Sequence, residues 1–331
     1  MTLIKITFVC LRDNPGVKLE TPVSEIFKKS SKFLDIIKEE KMLVQQKLDE
    51  LKGEQAPRKQ ETAAMIKLGL ERAKLYGWPN TYVLTKALGE TIIGRHLNKS
   101  LPVVIIRPTA VTGTYREPFP GWIEGFKSID PLVFGIGRGT LPCFIGDHES
   151  FFDIIPGDMV VNAIIVAMVN HAKSNNHIFS RDANDVIYHI GNSTHREPTR
   201  IVQLLEYAYE YFCKNPWMVG GGDEIVKPVF FPTMSSFREH IHNNYDVSMK
   251  EKRVELLAEI FEPYVFSQIT FGTSATDQLR MWTKAYYGPG EADIFDFDPK
   301  HISWKDYMIN IHIPGLIKYV IKPHVGYNSK L

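Results

Sequence analysis

Four consecutive β-branched residues, Val103-Val104-Ile105-Ile106, run into Arg107-Pro108, and no other stretch restricts the fold as strongly. Such side chains are stiff about χ1 and suit a pleated backbone. With no polar residue to mark a wet face, the strand must be covered on both sides, as strands of parallel sheets are. Pro108 lacks an amide donor and closes the run. Just upstream, Asn80 or Thr81 can cap a helix that continues to about Leu97. Residues 3 to 11 read as another buried strand, bounded by the turn cluster Arg12-Asp13-Asn14-Pro15-Gly16. Between them lies a charged excursion. Residues 24 to 52 carry Ile26, Leu34, Ile37, Leu48 and Leu51 at roughly helical spacing, Gly53 and Pro57 interrupt it, and a second helix covers about 58 to 75. Its Lys/Glu-rich surface reads as a solvated helical face.

The strand-then-helix order recurs in "VIYHIGNSTHREPTRIVQLLEYAYEYF", with a strand at 186 to 190, a Gly-Asn-Ser turn and a helix after Pro198. The remainder is helical and aromatic. The expected fold is therefore α/β: a doubly wound parallel sheet followed by a smaller, mainly helical C-terminal domain. The chain's 331 residues, 44% of them hydrophobic, suffice for a large core. A net charge of +1 argues against a nucleic-acid surface spread over the fold. Cys10, Cys143 and Cys213 are far apart, have no metal-ligand spacing and suit a reducing compartment. The first residues read as a strand and not as a leader. The apolar stretch Met159 to Val169 is broken by Asn162 and is far shorter than the roughly 20 residues of a membrane span.

Chemistry is suggested by "YGWPNTYVLTKALGE", where Tyr82 and Lys86 sit four apart on the expected helix. Among 14 tyrosines, roughly one Tyr-x-x-x-Lys pair is expected by accident. This chain has that one, on the helix leading into a buried strand, and ligands of open α/β sheets gather at the carboxyl ends of such strands. Residues four apart share a helix face. An ammonium about 5 Å from a phenol, at an effective dielectric of about 20, favours the phenolate by roughly 3 kcal/mol. The expectation is a tyrosine brought toward working pH as an acid/base group for carbonyl reduction.

Together with "LPVVIIRPTAVTGTYREPFPGWIEGF" and "DPKHISWKDYMINIHIPGLIKYVIK", that stretch resembles the plant-type fatty acyl-CoA reductases, the male-sterility family of extended short-chain dehydrogenases. The resemblance implies a Rossmann-like reductase domain over residues 1–215 and a helical domain over 235–325. It implies reduction of a long-chain acyl-CoA to a primary fatty alcohol, through an aldehyde, with NADPH. Tyr82 would be the proton donor and Lys86 its partner, both also touching the cofactor. Pro108, Thr109, Ala110 and Val111 would line the nicotinamide, and the apolar region containing "EPFPGWIEGF" would hold the acyl chain. The setting implied is intracellular, cytoplasmic or peripheral at the endoplasmic reticulum.

The resemblance also predicts features this sequence does not carry. Relatives begin with a strand and a Gly-rich turn that seats a pyrophosphate on a helix N-terminus, and no such element precedes residue 76. By the same alignment Met1 falls near the fifth strand, so the sheet is expected to be partial. Ile6 stands where relatives have threonine, Thr7 faces the other way by strand alternation, and Leu11 replaces a glycine. A non-catalytic acyl-lipid-binding or partner protein on the same fold is thus the alternative to an enzyme. A sugar-nucleotide epimerase fits the apolar middle region poorly.

Other stretches carry less. "GIGRGT", Gly135 to Thr140, lacks the third glycine and the following helix of a phosphate loop, and "VGGGDE", 219 to 224, reads as a loop. His240 and His242 lack a third ligand and read as packing residues. Asp147, His148 and Ser150 are too close in sequence for a hydrolase triad, and "DIFDFDPK" lacks the glycine and glutamate of a calcium loop. In the tail, Ile313, Leu316, Ile317 and Val320 share one side and read as core.

Overall fold

The computed structural model describes residues 3–6, 16–21, 33–96, 103–173, 185–192, 198–216, 225–244, 249–266, 269–288 and 290–321. Outside these lie the turn at 12–15, residues 24–32 of the first expected helix, Thr7, Leu11 and the 219–224 stretch. The first half of the chain contains β1 (Leu3–Ile6), β2 (Gly16–Lys18), α1 (Phe33–Gly53), α2 (Arg58–Leu75), α3 (Thr81–His96), β3 (Val103–Pro108), β4 (Ala110–Thr112), α4 (Asp130–Gly137), β5 (Cys143–Ile145), β6 (Ile154–Pro156) and α5 (Gly157–Lys173). There follow β7 (Asp185–Ile190), α6 (Ile201–Lys214), β8 (Val229–Phe231), α7 (Met234–Asn244), α8 (Met249–Val265), β9 (Ile269–Phe271) and α9 (Ser274–Tyr287). A helical run from Trp304 to Ile321, partly wound in wide π turns, comes last.

Two compact units are present. One gathers β1, α1 to α3 and most of β3 and β7. β3 is buried along its whole length and is the middle strand of the order β1-β3-β7. It runs parallel to β1 in the register Leu3↔Val103 to Ile6↔Ile106. Val103, Ile105 and Ile187 form a core cluster against Ile93 of α3.

The "YGWPN" entry to α3 has a full local account. α2 stops because Gly77 takes the left-handed conformation (φ +73°). The Trp78 amide then bonds the Ala73 carbonyl at 2.9 Å and the Gly77 amide bonds Lys74 at 3.0 Å, a Schellman closure. That turn drives Trp78 into a cluster with Ala73, Val83, Leu84 and Ala87. Truncating a buried Trp of this kind costs about 3–5 kcal/mol. Asn80 caps the next helix, its side-chain oxygen accepting from the Val83 amide at 2.9 Å. At the far end of α3, Glu90 meets Arg107 of β3 in an ion pair whose side chains are only 2% and 4% exposed. The guanidinium also donates to the Thr21 carbonyl at 2.9 Å. Across the α1–α2 hairpin, Glu40 accepts from Arg72 at 3.0 Å and from the Tyr76 hydroxyl at 2.6 Å.

The other unit holds three parallel strand pairs, β4–β6, β5–β8 and β2–β9, with α4, most of α5 and α6 to α9. Its C-terminal helical run packs on the 112–130 segment through a buried polar group. His312 Nδ1 accepts from the Gly113 amide at 3.2 Å, so Nε2 carries the proton, which it donates to Asp130 at 2.9 Å. The Tyr307 hydroxyl donates to the Gly113 carbonyl at 2.5 Å and shares a 2.8 Å bond with Thr112. Burial pushes its pKa well above the usual phenol value. Gly121 and Gly315 touch so closely that a Cβ on Gly315 would lie 1.9 Å from the Gly121 carbonyl oxygen. In the tail Ile313, Leu316 and Val320 are buried and Ile317 half-buried, as their spacing predicts.

Candidate active site

Tyr82 lies in the first turn of α3, one residue past its start. The neighbouring Val83 and Leu84 turn into the Trp78 cluster, which leaves Tyr82 on the outer side and 50% exposed. Lys86, one turn on, places its ammonium over the tyrosine ring, 5.4 Å from the centroid. The expected neighbours are thus brought together, with an unexpected electrostatic result. The charge lies over the ring, a cation–π arrangement worth about 0.5–1 kcal/mol at an exposed site. Partial burial pushes the phenol above its usual value. The expected downward shift is therefore corrected. Sequence spacing puts both residues on one face, whereas the lysine rotamer decides which part of the tyrosine the charge reaches.

Pro108 ends β3, and Pro108, Thr109, Ala110 and Val111 all belong to the second unit. Two of their backbone donors are engaged: the Thr109 amide bonds the Ile190 carbonyl at 2.9 Å and the Ala110 amide bonds the Asp153 carbonyl at 3.0 Å. The Thr109 hydroxyl also leans on Ile190 at 3.4 Å, and the Ser128 hydroxyl donates to the Val111 carbonyl at 2.6 Å. Pro108 has no amide hydrogen. Pro108, Thr109 and Ala110 are buried and Val111 is half-buried, so the segment presents little surface to a ligand. With the Thr109 and Ala110 amides engaged, it does not suit a phosphate, which needs donors.

Past this segment the chain makes a loop whose anchor sequence reading missed. The Asp158 carboxylate, buried in the first turn of α5, accepts from the amides of Tyr115, Arg116 and Glu117 at 2.8, 2.7 and 3.1 Å. An acid at that place reads from sequence as a partner for the helix dipole, so nothing local reveals the loop it holds. The loop presents Phe119, Trp122 and Phe126, each more than a third exposed. Phe119 lies beside Tyr319 and Phe126 beside Phe134, with ring centroids 5.3 and 5.1 Å apart, so each adds exposed apolar area of the kind a hydrocarbon ligand can cover.

The rejected motifs have structural reasons. Gly137 of "GIGRGT" ends α4 where a Cβ would stand 2.6 Å from the Phe212 ring, so this glycine serves close packing. Asp147 accepts from the Ser150 hydroxyl at 2.9 Å and the Glu149 amide at 2.8 Å, which makes a tight turn. His240 lies against Phe231, ring centroids 4.7 Å apart. Among the described residues, no group of three or more His, Cys, Asp or Glu could hold a metal, and no helix is long and apolar enough to cross a membrane.

Comparison with known proteins follows the same lines. Two family models, both described as male sterility protein, match residues 27–164 and 240–323. A probable fatty acyl-CoA reductase 5 of Arabidopsis thaliana is 38% identical over 96% of this chain and 68% of its own length. The alcohol-forming fatty acyl-CoA reductase of Simmondsia chinensis is 36% identical over 85% of this chain and 60% of its own. Among solved structures, the terminal R domain of the myxalamid biosynthetic pathway overlays 72% of this chain and 50% of that one, at 17% identity and a TM-score of 0.43.

Proposed function

This chain belongs to the male sterility protein family, and from that premise we propose that it is a reductase converting long-chain fatty acyl-CoA to primary fatty alcohol through the aldehyde. The observation that carries the reading on this chain's own residues is the half-exposed Tyr82 with the Lys86 ammonium on its ring face. A nicotinamide dinucleotide, for which we take NADPH, supplies hydride when bound. Tyr82 and Lys86 are the groups that would meet its nicotinamide half. Because its pKa is raised, Tyr82 stays protonated at neutral pH. It is thereby suited to donate its proton to the oxygen of a carbonyl undergoing reduction. Lys86 holds the ring and adds positive charge where an oxyanion develops. Phe119, Trp122 and Phe126 would take the alkyl chain, on a loop fixed by Asp158.

The test is turnover of palmitoyl-CoA with NADPH, followed by dinucleotide oxidation and by mass spectrometry of the alcohol. Tyr82→Phe should lower the rate on the order of 10²-fold or more. Parent activity should persist into alkaline solution and fall as pH rises through the raised tyrosine pKa, because the donor must be protonated. An unchanged rate in Tyr82→Phe removes this residue from the mechanism.

A further inference from the structure

A cavity of about 320 Å³ lies in the second unit, between the opening turns of α6 and the segment Ser303 to Lys305. Arg200, Gln203, Tyr207, Ser303, Trp304 and Lys305 line most of it. These walls are polar, cationic and aromatic, and an alkyl chain would gain little there. The volume sits at the low end of the roughly 300–1,000 Å³ of small-molecule sites. It suits one phosphorylated nucleoside better than a whole dinucleotide.

The cations at its wall are only loosely held by their acidic partners. Arg200 reaches Glu149 only at 3.5 Å, and that carboxylate is largely exposed. Lys305 bonds Glu210 at 2.7 Å, but Glu210 also serves Lys214 at 2.9 Å. Each of the two lining cations thus has a carboxylate that is either exposed or shared with Lys214, a lysine outside the lining. Hydrogen bonding to both lysines holds the Glu210 carboxyl below its usual range, so it stays ionised at neutral pH and divides its charge between them. The cations also rest on rings: Arg200 lies 5.6 Å from the Phe151 centroid and Lys305 lies 5.9 Å from that of Tyr207. Trp304 meets Tyr307 edge-on at 5.9 Å, which fixes the indole. Two aromatic side chains from separate elements therefore stand at the wall beside two guanidinium or ammonium groups. That pairing recognises a base by stacking and a phosphate by charge.

The cavity is tied to the 108–111 segment. Thr199 at its edge accepts from the Asn192 side chain at 3.2 Å. The Asn192 amide in turn bonds Asp153 at 2.8 Å, and the Asp153 carbonyl receives the Ala110 amide. These residues follow β7 and β3, at the strand ends where ligands of α/β sheets bind.

We propose that this cavity receives the 3′-phosphoadenosine diphosphate end of the CoA carrier, with Arg200 and Lys305 on its phosphates and Tyr207 and Trp304 on its base; the assignment rests on the acyl-CoA reading above. The same chemistry, a phosphorylated adenosine, also occurs in NADPH, and the position of the phosphate separates the two sources. Calorimetric titration of the full chain with adenosine 3′,5′-bisphosphate, adenosine 2′,5′-bisphosphate and unphosphorylated adenosine is the direct test. The 3′,5′ probe should bind best, and Arg200→Met and Lys305→Met should each weaken it about tenfold or more. Lys227→Met, a lysine outside the cavity, should leave it unchanged. Circular dichroism and thermal melting will verify that the partly exposed sites have been replaced without unfolding.

Kinetically, Arg200→Met and Lys305→Met should raise KM for palmitoyl-CoA with kcat kept, and leave palmitoyl-pantetheine unaffected. Tighter binding of the 2′,5′ probe, equal binding of plain adenosine, no binding, or indifference to both variants overturns the proposal. If the bisphosphate pattern holds while palmitoyl-CoA is not reduced, the site stands and the proposed reaction fails. If palmitoyl-CoA is reduced while both variants bind the probe like the parent, the reaction stands and the site fails.

Discussion

Removing the Glu90 charge while keeping its shape, in Glu90→Gln, should be far more damaging than removing both members of its ion pair. Glu90 and Arg107 are 2% and 4% exposed. The single change strands a guanidinium away from water with one short partner missing, and stranding a charge in this way costs about 3–5 kcal/mol. That is a large share of the roughly 5–15 kcal/mol that holds a typical domain. In the double variant Glu90→Leu/Arg107→Leu no charge is buried, and apolar replacements of such pairs are often neutral or better. A further loss is the hydrogen bond to the Thr21 carbonyl, which accepts from Arg107 at 2.9 Å; Thr21 is exposed and water can replace the donor, so this costs about 0.5–1.5 kcal/mol. The double variant should therefore be more stable than Glu90→Gln by roughly 1–3 kcal/mol. Urea unfolding, with hydrogen exchange of α3 and β3 peptides to localise the effect, measures it. The reasoning is refuted if Glu90→Gln costs under about 1 kcal/mol, or if the double variant loses the full sum of the two single changes. The stakes extend beyond stability, because α3 also carries Lys86 and Tyr82, one and two turns before Glu90 on the same helix face.

Three further outcomes are expected. Cys143 is fully buried and its thiol is pushed up to about 12, so iodoacetamide at pH 8 should label exposed Cys213 and spare Cys143 until urea is added; prompt native labelling of Cys143 contradicts its burial. For Glu40, burial raises the carboxyl pKa, but bonds from Arg72 and Tyr76 outweigh it and leave it lowered. A lowered folded pKa gives stability that is present above the unfolded value of about 4.3 and is lost as pH falls through the folded one. The α1–α2 hairpin should thus loosen in acid below about pH 4, with the effect absent in Glu40→Gln; identical acid profiles rule the contact out. Asp158→Ala removes the shared acceptor of three amides and should cost about 2–4 kcal/mol in total at these part-buried sites, with faster exchange of residues 115–117. Unaltered exchange there would mean the loop is held by something else.

Where the sequence was informative, the deciding interactions were local. Asn80 caps α3, β3 is buried end to end, and the helix–turn–helix at Gly53 to Pro57 appears where the spacing puts it. Thr7, Leu11 and the start of the first expected helix lie outside the described residues, and the strand expected over 3 to 11 is seen as Leu3–Ile6. Where the sequence was silent, partners lie far apart in the chain. Asp130 and His312 are separated by 182 positions and Thr112 and Tyr307 by 195, and neither member of either pair carries a mark of its destination. Asp158 belongs with them, since a helix-start carboxylate looks the same whether it faces water or three amides.

The primary structure alone determined that this chain would build a covered parallel strand behind a capped helix bearing Tyr82 and Lys86, because side-chain shape and backbone chemistry act within a few residues. Only the tertiary structure decided that the Lys86 charge lies on the ring face and that Tyr82 becomes a weaker acid rather than a stronger one. Rotamer choice and partial burial depend on what packs around the helix, and spacing along a chain does not encode that.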